Sequence, residues 1–111
     1  MARFTYIAFV CAHPGREEEF DRWYDERHLA DVARMPGVVG ARRSTVEWTK
    51  SNLGATPPWR SLAIYELDCD DPEATITAIR AASGSEMMPL SDAMDRTGML
   101  QVYGRDRPDN V

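Results

Sequence analysis

The fold of this protein is decided by the segment 20–37, which reads Phe20-Asp-Arg-Trp-Tyr-Asp-Glu-Arg-His-Leu-Ala-Asp-Val-Ala-Arg-Met-Pro-Gly37. Residues of one helical stripe recur here at every fourth position, at Phe20, Tyr24, His28 and Val32. Proline restricts the residue before it and cannot continue the backbone ladder of a helix. The segment therefore predicts a helix over 16–34 that ends at the Met35-Pro36-Gly37 turn.

The same helix brings together side chains that are typical of a functional site. An aromatic wall, a phenol, an imidazole and a carboxylate share one narrow sector of it, at Trp23, Tyr24, His28 and Asp31. Histidine has an ordinary pKa of about 6.5, so it can take or give a proton near neutral pH. We expect the function of the protein to depend on this sector.

The composition is that of a small globular protein. The chain has 111 residues, enough for a single domain (1–111) with one hydrophobic core. Hydrophobic residues make up 43% and charged residues 28%, which excludes a disordered or membrane-embedded chain. The net charge of −5 disfavours nucleic-acid binding, because such a surface repels phosphate backbones. No apolar run approaches the roughly 20 residues that span a bilayer, so we expect a cytoplasmic protein without membrane contacts.

Alternating and periodic patterns predict the other elements. Strands are expected at 3–13, 38–49, 59–67 and 99–103. The remaining predicted elements are a second helix at 72–83, a short helix at 90–96 and a polar, mobile tail at 105–111. The second helix has a clear start, because Asp71 is a good N-cap and Pro72 suits the first helical position.

The order of these elements predicts a ferredoxin-like α+β fold. Two split βαβ units give a four-stranded antiparallel sheet with both helices on one face. The first strand is apolar on both faces, so the helix-free face of the sheet also needs a cover. The same face of a second copy is the simplest cover, which predicts a barrel-like homodimer.

Three motifs point to a known family. They are Trp23-Tyr24-Asp25-x-x-His28-Leu29-x-Asp31-Val32, then Met35-Pro36-Gly37-Val38, then Ala41-Arg42-Arg43. Together they resemble the EthD-like group of dimeric α/β-barrel proteins. The resemblance implies a small homodimer with one cavity in each subunit. It leaves the activity open, since the superfamily includes polyketide cyclases, lactone isomerases, cofactor-free monooxygenases and proteins of no known activity.

The helix sector supplies the candidate catalytic residues. His28 is predicted to act as a general acid or base, with Asp31 orienting its imidazole. Tyr24 is predicted to donate its hydroxyl to a carbonyl or a developing enolate. The alternatives are a histidine bonded to backbone at the edge of the core and a core tyrosine whose hydroxyl reaches water.

Further residues are predicted to bind the substrate. Trp23 is either an aromatic wall of the pocket or a packing residue between helix and sheet. Arg42 and Arg43 point to opposite faces of a strand, so one of them, with Arg43 as our candidate, should face the interior and bind a carboxylate or phenolate. The alternative for this arginine is an ion pair with an Asp or Glu across the sheet. Tyrosines from three strands are expected to line the same pocket, at Tyr6, Tyr65 and Tyr103.

The sequence contains no motif for a bound cofactor. Gly-rich nucleotide-binding motifs, a Gly-x-Ser-x-Gly nucleophile motif and a Cys-x-x-Cys pair are all missing. His13, His28 and Asp31 could form a two-histidine, one-carboxylate metal site, but no short ligand spacing supports it, so neither a metal nor a cofactor is predicted. The favoured function is a cofactor-independent cyclase, isomerase or lyase acting on a small aromatic or polyketide-like carbonyl compound. A non-catalytic binding or accessory protein and a cofactor-free monooxygenase are the alternatives.

Overall fold

The computed structural model describes residues 2–108. The strands are β1 (Ala2–Ala12), β2 (Val38–Thr45), β3 (Ser61–Cys69) and β4 (Met94–Arg105). The helices are α1 (Glu17–Trp23), a π-helical turn (Tyr24–His28), α2 (Leu29–Ala33) and α3 (Pro72–Ala82). The residues that join α1, the π turn and α2 are all right-handed helical, so these three form one continuous helix, called here the first helix. No helix within 2–108 is long and apolar enough to cross a membrane.

The strands form one antiparallel sheet in the order β2-β3-β1-β4. Both the first helix and α3 pack on one face of it, because the buried core contains residues of both helices and of the sheet. This arrangement confirms the predicted ferredoxin-like α+β fold. The predicted cap of α3 is also present, since the Asp71 side chain accepts a hydrogen bond from the Ala74 amide at 3.2 Å.

The two faces of the sheet differ in burial. Alternate residues of β1 are buried under the helices, at Phe4, Tyr6, Ala8 and Val10. Burying each large apolar side chain stabilises the fold by about 1.5–3 kcal/mol. Ile7 and Phe9 on the opposite face are only half-buried. The helix-free face of the sheet therefore retains accessible apolar surface.

The structure differs from the predicted elements at several places, of which three matter most. β2 ends at Thr45 rather than at 49, because β3 begins opposite it at Ser61. The predicted short helix at 90–96 does not form, since Met94 already pairs with Ala12 in β4. The predicted tail begins too early, because Arg105 is still paired in β4. In each case strand pairing with a distant segment overrides the local pattern. Residues 109–111 of the predicted tail lie outside the described residues.

A large bulge interrupts β4 where it passes the middle of β1. Asp95 pairs with Cys11 and Leu100 pairs with Phe9, so residues 96–99 lie opposite the single residue Val10. Gly98 provides the left-handed backbone that the bulge needs, at φ 74°. Its carbonyl accepts a hydrogen bond from the Trp59 indole at 2.7 Å. Bulges of this kind commonly redirect side chains next to binding sites.

Candidate functional site

A cavity of about 280 Å³ lies between the helices and the sheet. Its floor and walls come from β1, β3, β4 and both helices, with Tyr6, Val10, Tyr24, His28, Val32, Tyr65, Ile79, Leu90, Met94, Met99 and Gln101 among the lining residues. The lining is mainly apolar, with a few polar groups, which is the usual character of a small-molecule site. Four of the eight predicted site residues contribute to it: Tyr6, Tyr24, His28 and Tyr65.

The π-helical turn arranges the aromatic groups beside this cavity. In an α-helix, residues five positions apart are separated by about 140° around the axis. The wider π turn brings such residues closer to one face, and the Trp23 and His28 rings stack with centroids 4.6 Å apart and planes at 24°. The Tyr24 ring meets the same imidazole edge-on at 5.0 Å. The imidazole is thereby held between two aromatic side chains.

The imidazole of His28 is uncharged at neutral pH. Desolvation by burial lowers the pKa of His28 from 6.5 to about 4, and the negative charge of Asp31 opposes this only partly. Its Nδ1 atom is buried and has no hydrogen-bond partner within residues 2–108. Buried polar atoms are nearly always paired, so the unpaired Nδ1 of a histidine that lines a cavity is unusual and marks His28 as a candidate functional residue.

Asp31 does not contact His28 in the way that we predicted. Its buried carboxylate accepts a hydrogen bond from Arg27 Nε at 2.9 Å and another from the Arg34 guanidinium. Asp31 therefore influences His28 through its charge and not through a hydrogen bond that sets the tautomer. No group of three or more His, Cys, Asp or Glu side chains in the described part of the chain is arranged to hold a metal ion.

Three tyrosines place hydroxyl groups at the cavity. The Tyr24 and Tyr65 oxygens lie 3.2 Å apart, and the Tyr6 ring stacks on Tyr65 with centroids 5.5 Å apart. Burial raises the pKa of Tyr6 to about 12 and also raises the pKa values of Tyr24 and Tyr65. All three phenols are therefore protonated near neutral pH and can act as hydrogen-bond donors.

Sequence reasoning missed Gln101, which orients one of these phenols. Its Nε2 donates to the Tyr6 hydroxyl oxygen at 2.7 Å, so the Tyr6 proton is left to donate elsewhere. The pairing of Gln101 with Ala8 puts it on the helix-covered face. Gln101 lies two residues before Tyr103 in the predicted strand 99–103, so alternation from that tyrosine would have indicated its face.

Two predicted binding residues lie beside the cavity rather than in its lining. The Trp23 indole stacks on the His28 imidazole, and its nitrogen donates a hydrogen bond to the Pro89 carbonyl at 3.1 Å. Tyr103 is 40% exposed, and its hydroxyl reaches Glu73 on α3 at 3.4 Å. Neither side chain is among the residues that line this cavity.

Arg43, the predicted substrate-binding arginine, forms ion pairs with acidic side chains. The Arg43 side chain is only 9% exposed and forms ion pairs with Asp21 and Asp25 of the first helix. Its guanidinium also lies over the Tyr24 ring, 4.9 Å from the centroid. Arg43 therefore contacts Tyr24 from outside the cavity and forms ion pairs, although its partners lie on the first helix and not across the sheet. Arg42 is exposed and pairs in register with Ile64, on the helix-free face.

Two other arginines line the cavity, and sequence reasoning had not selected them. Arg80 lies on α3 and Arg96 lies in the β4 bulge. Both side chains are largely exposed to solvent. Neither has an ion-pair partner within the described residues. No local pattern marks either residue, because the cavity is assembled from distant segments.

Several solved structures resemble this one. An EthD (ethyl tert-butyl ether D) family protein from Bacillus halodurans C-125 has a TM-score of 0.59 and 18% identity, over 95% of this chain and 99% of its own. A candidate monooxygenase from Shewanella loihica PV-4 has a TM-score of 0.56 and 15% identity, over 99% and 97%. A dimeric ferredoxin-like protein from an uncultured marine organism has a TM-score of 0.60 and 17% identity, over 96% of each chain.

Comparison of the sequence itself finds no relative. No protein-family model matches the chain, and no curated protein matches it. Structural likeness at this identity establishes a fold and leaves the activity to be argued from the site. The chain has the ferredoxin-like fold of the EthD-like dimeric α/β barrels, as its motifs predicted.

Proposed function

We propose that this protein is a cofactor-independent enzyme that moves a proton on a small aromatic or polyketide-like carbonyl compound. The observation that carries the proposal is the position of His28, with its uncharged imidazole, in the cavity lining beside the paired hydroxyls of Tyr24 and Tyr65. A neutral imidazole can accept a proton there, and the hydroxyl pair of Tyr24 and Tyr65 lines the same space. Cyclisation, isomerisation and lyase chemistry all begin with such a step.

The tyrosine pair supplies the donor for the oxygen of the reacting group. Two phenols contain two hydroxyl protons, and the contact between Tyr24 and Tyr65 uses only one of them. The other proton is available to a substrate carbonyl oxygen, which becomes an enolate when His28 removes the neighbouring proton. A fixed donor at a developing oxyanion typically accelerates a reaction by roughly 10²–10³-fold.

The low basicity of His28 narrows the substrate class. An imidazole with a pKa near 4 is a weak base, so a simple ketone is a poor partner for it. A carbon between two carbonyl groups, or a phenol-like hydroxyl, releases its proton far more readily. This favours polyketide-like 1,3-dicarbonyl compounds and their aromatic relatives. The charge of Asp31 stabilises the imidazolium that forms, although its hydrogen bonds go to arginines.

The functional unit in this proposal is a homodimer. The helix-free face carries an apolar band across three strands, formed by Ile7, Phe9, Leu62, Ile64, Leu100 and Val102. Leu100 and Val102 of the edge strand β4 are 40% and 42% exposed, so the band presents accessible apolar surface. One structural relative is described as dimeric. A second copy of this face would cover the band and leave the cavity of each subunit accessible from the helix side.

A cofactor-free monooxygenase is the second candidate, favoured by the likeness to the candidate monooxygenase from Shewanella loihica. The first step would be the same removal of a proton by His28, from an electron-rich phenol. The resulting anion would then react with dioxygen, with one oxygen atom entering the product as a quinone carbonyl and the other leaving as water with two protons and two electrons taken from the substrate. Oxygen consumption in step with product formation separates this reaction from a cyclisation or isomerisation.

The proposal is tested by comparing the two histidines of the chain. Wild type, His28→Gln and His13→Gln are assayed against a panel of aromatic 1,3-dicarbonyl compounds, phenols and lactones. His13 is exposed and outside the cavity, so it is a matched control. We expect loss of His28 to lower turnover by roughly 10²–10⁴-fold, and loss of His13 to leave it unchanged. Full turnover in folded His28→Gln would remove the proton-transfer role. Ligand binding by wild type without turnover of any compound would favour the binding-protein alternative.

A further inference from the structure

The rim of the cavity has a charge that the proposed reaction does not use. The lining contains two arginines and no aspartate or glutamate, although the chain as a whole has a net charge of −5. Within residues 2–108, Arg80 and Arg96 are also free of ion pairs, whereas Arg43 is held by two carboxylates. A cleft lined by one sign of charge concentrates ligands of the opposite sign.

The position of Arg80 follows from the helix that carries it. Neighbours three or four positions away on α3 are Ile76, Thr77 and Ser83, none of which can form an ion pair. Ile79, the residue before Arg80, is buried and lines the cavity. The positive charge of Arg80 also acts on the Tyr6 hydroxyl, where it opposes the rise in pKa that burial causes. The guanidinium is therefore close enough to the cavity floor to affect a group bound there.

The position of Arg96 depends on the irregular part of β4. The bulge inserts residues 96–99 opposite Val10, and the left-handed Gly98 lets the backbone turn there. Trp59 holds this turn through the Gly98 carbonyl, and the Asp95 carboxylate accepts a hydrogen bond from the Thr97 amide at 2.9 Å. A regular strand would place one residue opposite Val10 instead of four. The bulge thus supplies a second guanidinium, besides that of Arg80, to a cavity whose other lining groups are apolar or neutral.

We infer that Arg80 and Arg96 form an anion subsite, and that the natural substrate carries a carboxylate next to its reacting aromatic or carbonyl portion. This inference rests on the proposed function, because it assumes that the cavity takes an aromatic compound. Two guanidinium groups from different elements can bind one carboxylate, and each of them can donate charge-assisted hydrogen bonds to it. The apolar portion of the substrate then extends inward to His28 and Tyr24.

The test compares two probes that share a naphthalene ring and differ in charge, 2-naphthoate and methyl 2-naphthoate. Their dissociation constants are measured by calorimetry for wild type, for Arg80→Gln/Arg96→Gln and for Arg22→Gln. Arg22 is an exposed arginine outside the cavity, so its substitution changes net charge without changing the rim. Chemical shifts of the His28 imidazole show whether a probe enters the cavity.

Wild type is expected to bind the carboxylate at least roughly tenfold more tightly than the ester, since charge-assisted hydrogen bonds discriminate at that level. The double variant should lose this preference and keep its affinity for the ester, and Arg22→Gln should keep both. Equal affinity of wild type for the two probes would overturn the anion subsite alone. An equal loss in Arg22→Gln would also overturn it, by assigning the effect to net charge. Failure of both probes to shift the His28 signals would overturn the subsite and count against the proposed function as well.

Discussion

The indole of Trp23 stacks on the imidazole of His28, although the two residues are five positions apart on one helix. The π-helical turn between them makes this contact possible, because it widens the helix and brings residues five apart closer to one face. Trp23 is in turn held by the Pro89 carbonyl. One face of the catalytic candidate is thus closed off from water by a side chain that does not line the cavity.

Replacing Trp23 by alanine should raise the pKa of His28. The indole contributes to the burial that lowers this pKa to about 4, so its removal should return the value toward 6.5. Titration of the imidazole signals by NMR measures the change, and the chain has only one other histidine to assign. Trp48→Ala is the control, because Trp48 is 78% exposed. An unchanged His28 pKa in folded Trp23→Ala would show that other groups cause the desolvation.

His28 should make the stability of the protein depend on pH. The pKa of His28 is about 4 in the folded chain, compared with the ordinary value of 6.5. Between these two pH values the imidazole is protonated in the unfolded chain and neutral in the folded chain. Stability is therefore lost as the pH falls from about 6.5 to about 4, by up to about 3 kcal/mol. Urea unfolding at several pH values should show this loss in wild type and His13→Gln, and a smaller loss in His28→Gln. Parallel profiles for all three proteins would contradict the prediction.

The hydroxyls of Tyr24 and Tyr65 should act as one unit in catalysis. Tyr24→Phe and Tyr65→Phe are each expected to lower kcat by roughly 10–100-fold, because either change disturbs the donor to the enolate oxygen. The double variant should lose less than the product of the two single losses, since groups that act together are not additive. Tyr103→Phe, outside the cavity, should keep full activity. Strictly multiplicative losses would indicate two independent roles.

A charge on the helix-free face should separate the dimer. Val102 lies in the apolar band and pairs in register with Ile7, so a lysine there would be buried against a second copy without a partner. Sedimentation at micromolar concentration should show a dimer for wild type and a folded monomer for Val102→Lys. Leu53→Lys is the control, because Leu53 is 83% exposed and lies outside the sheet. A monomeric wild type would overturn the proposed dimer, whose interface should bury at least about 1,200 Å².

Local patterns in the sequence were sufficient for the order of the elements and the central part of the core. The alternation through Phe4, Tyr6 and Val10 predicted the buried face of β1, and Asp71 with Pro72 predicted the start of α3. These features depend on residues within one or two turns of each other, so they can be recognised without the fold. The helical stripe likewise predicted that Tyr24 and His28 lie side by side.

The details of the site were decided only by tertiary structure. Arg43 of β2 pairs with Asp21 and Asp25 of the first helix, and the β4 bulge brings Arg96 to the cavity lining. Local spacing cannot predict which of several acidic and basic side chains will pair, because the energies of the alternatives are similar until the elements pack. The sequence by itself therefore determined the fold and the helix that carries His28. Packing between distant segments determined its burial, its unpaired nitrogen and the charge at the rim of its cavity.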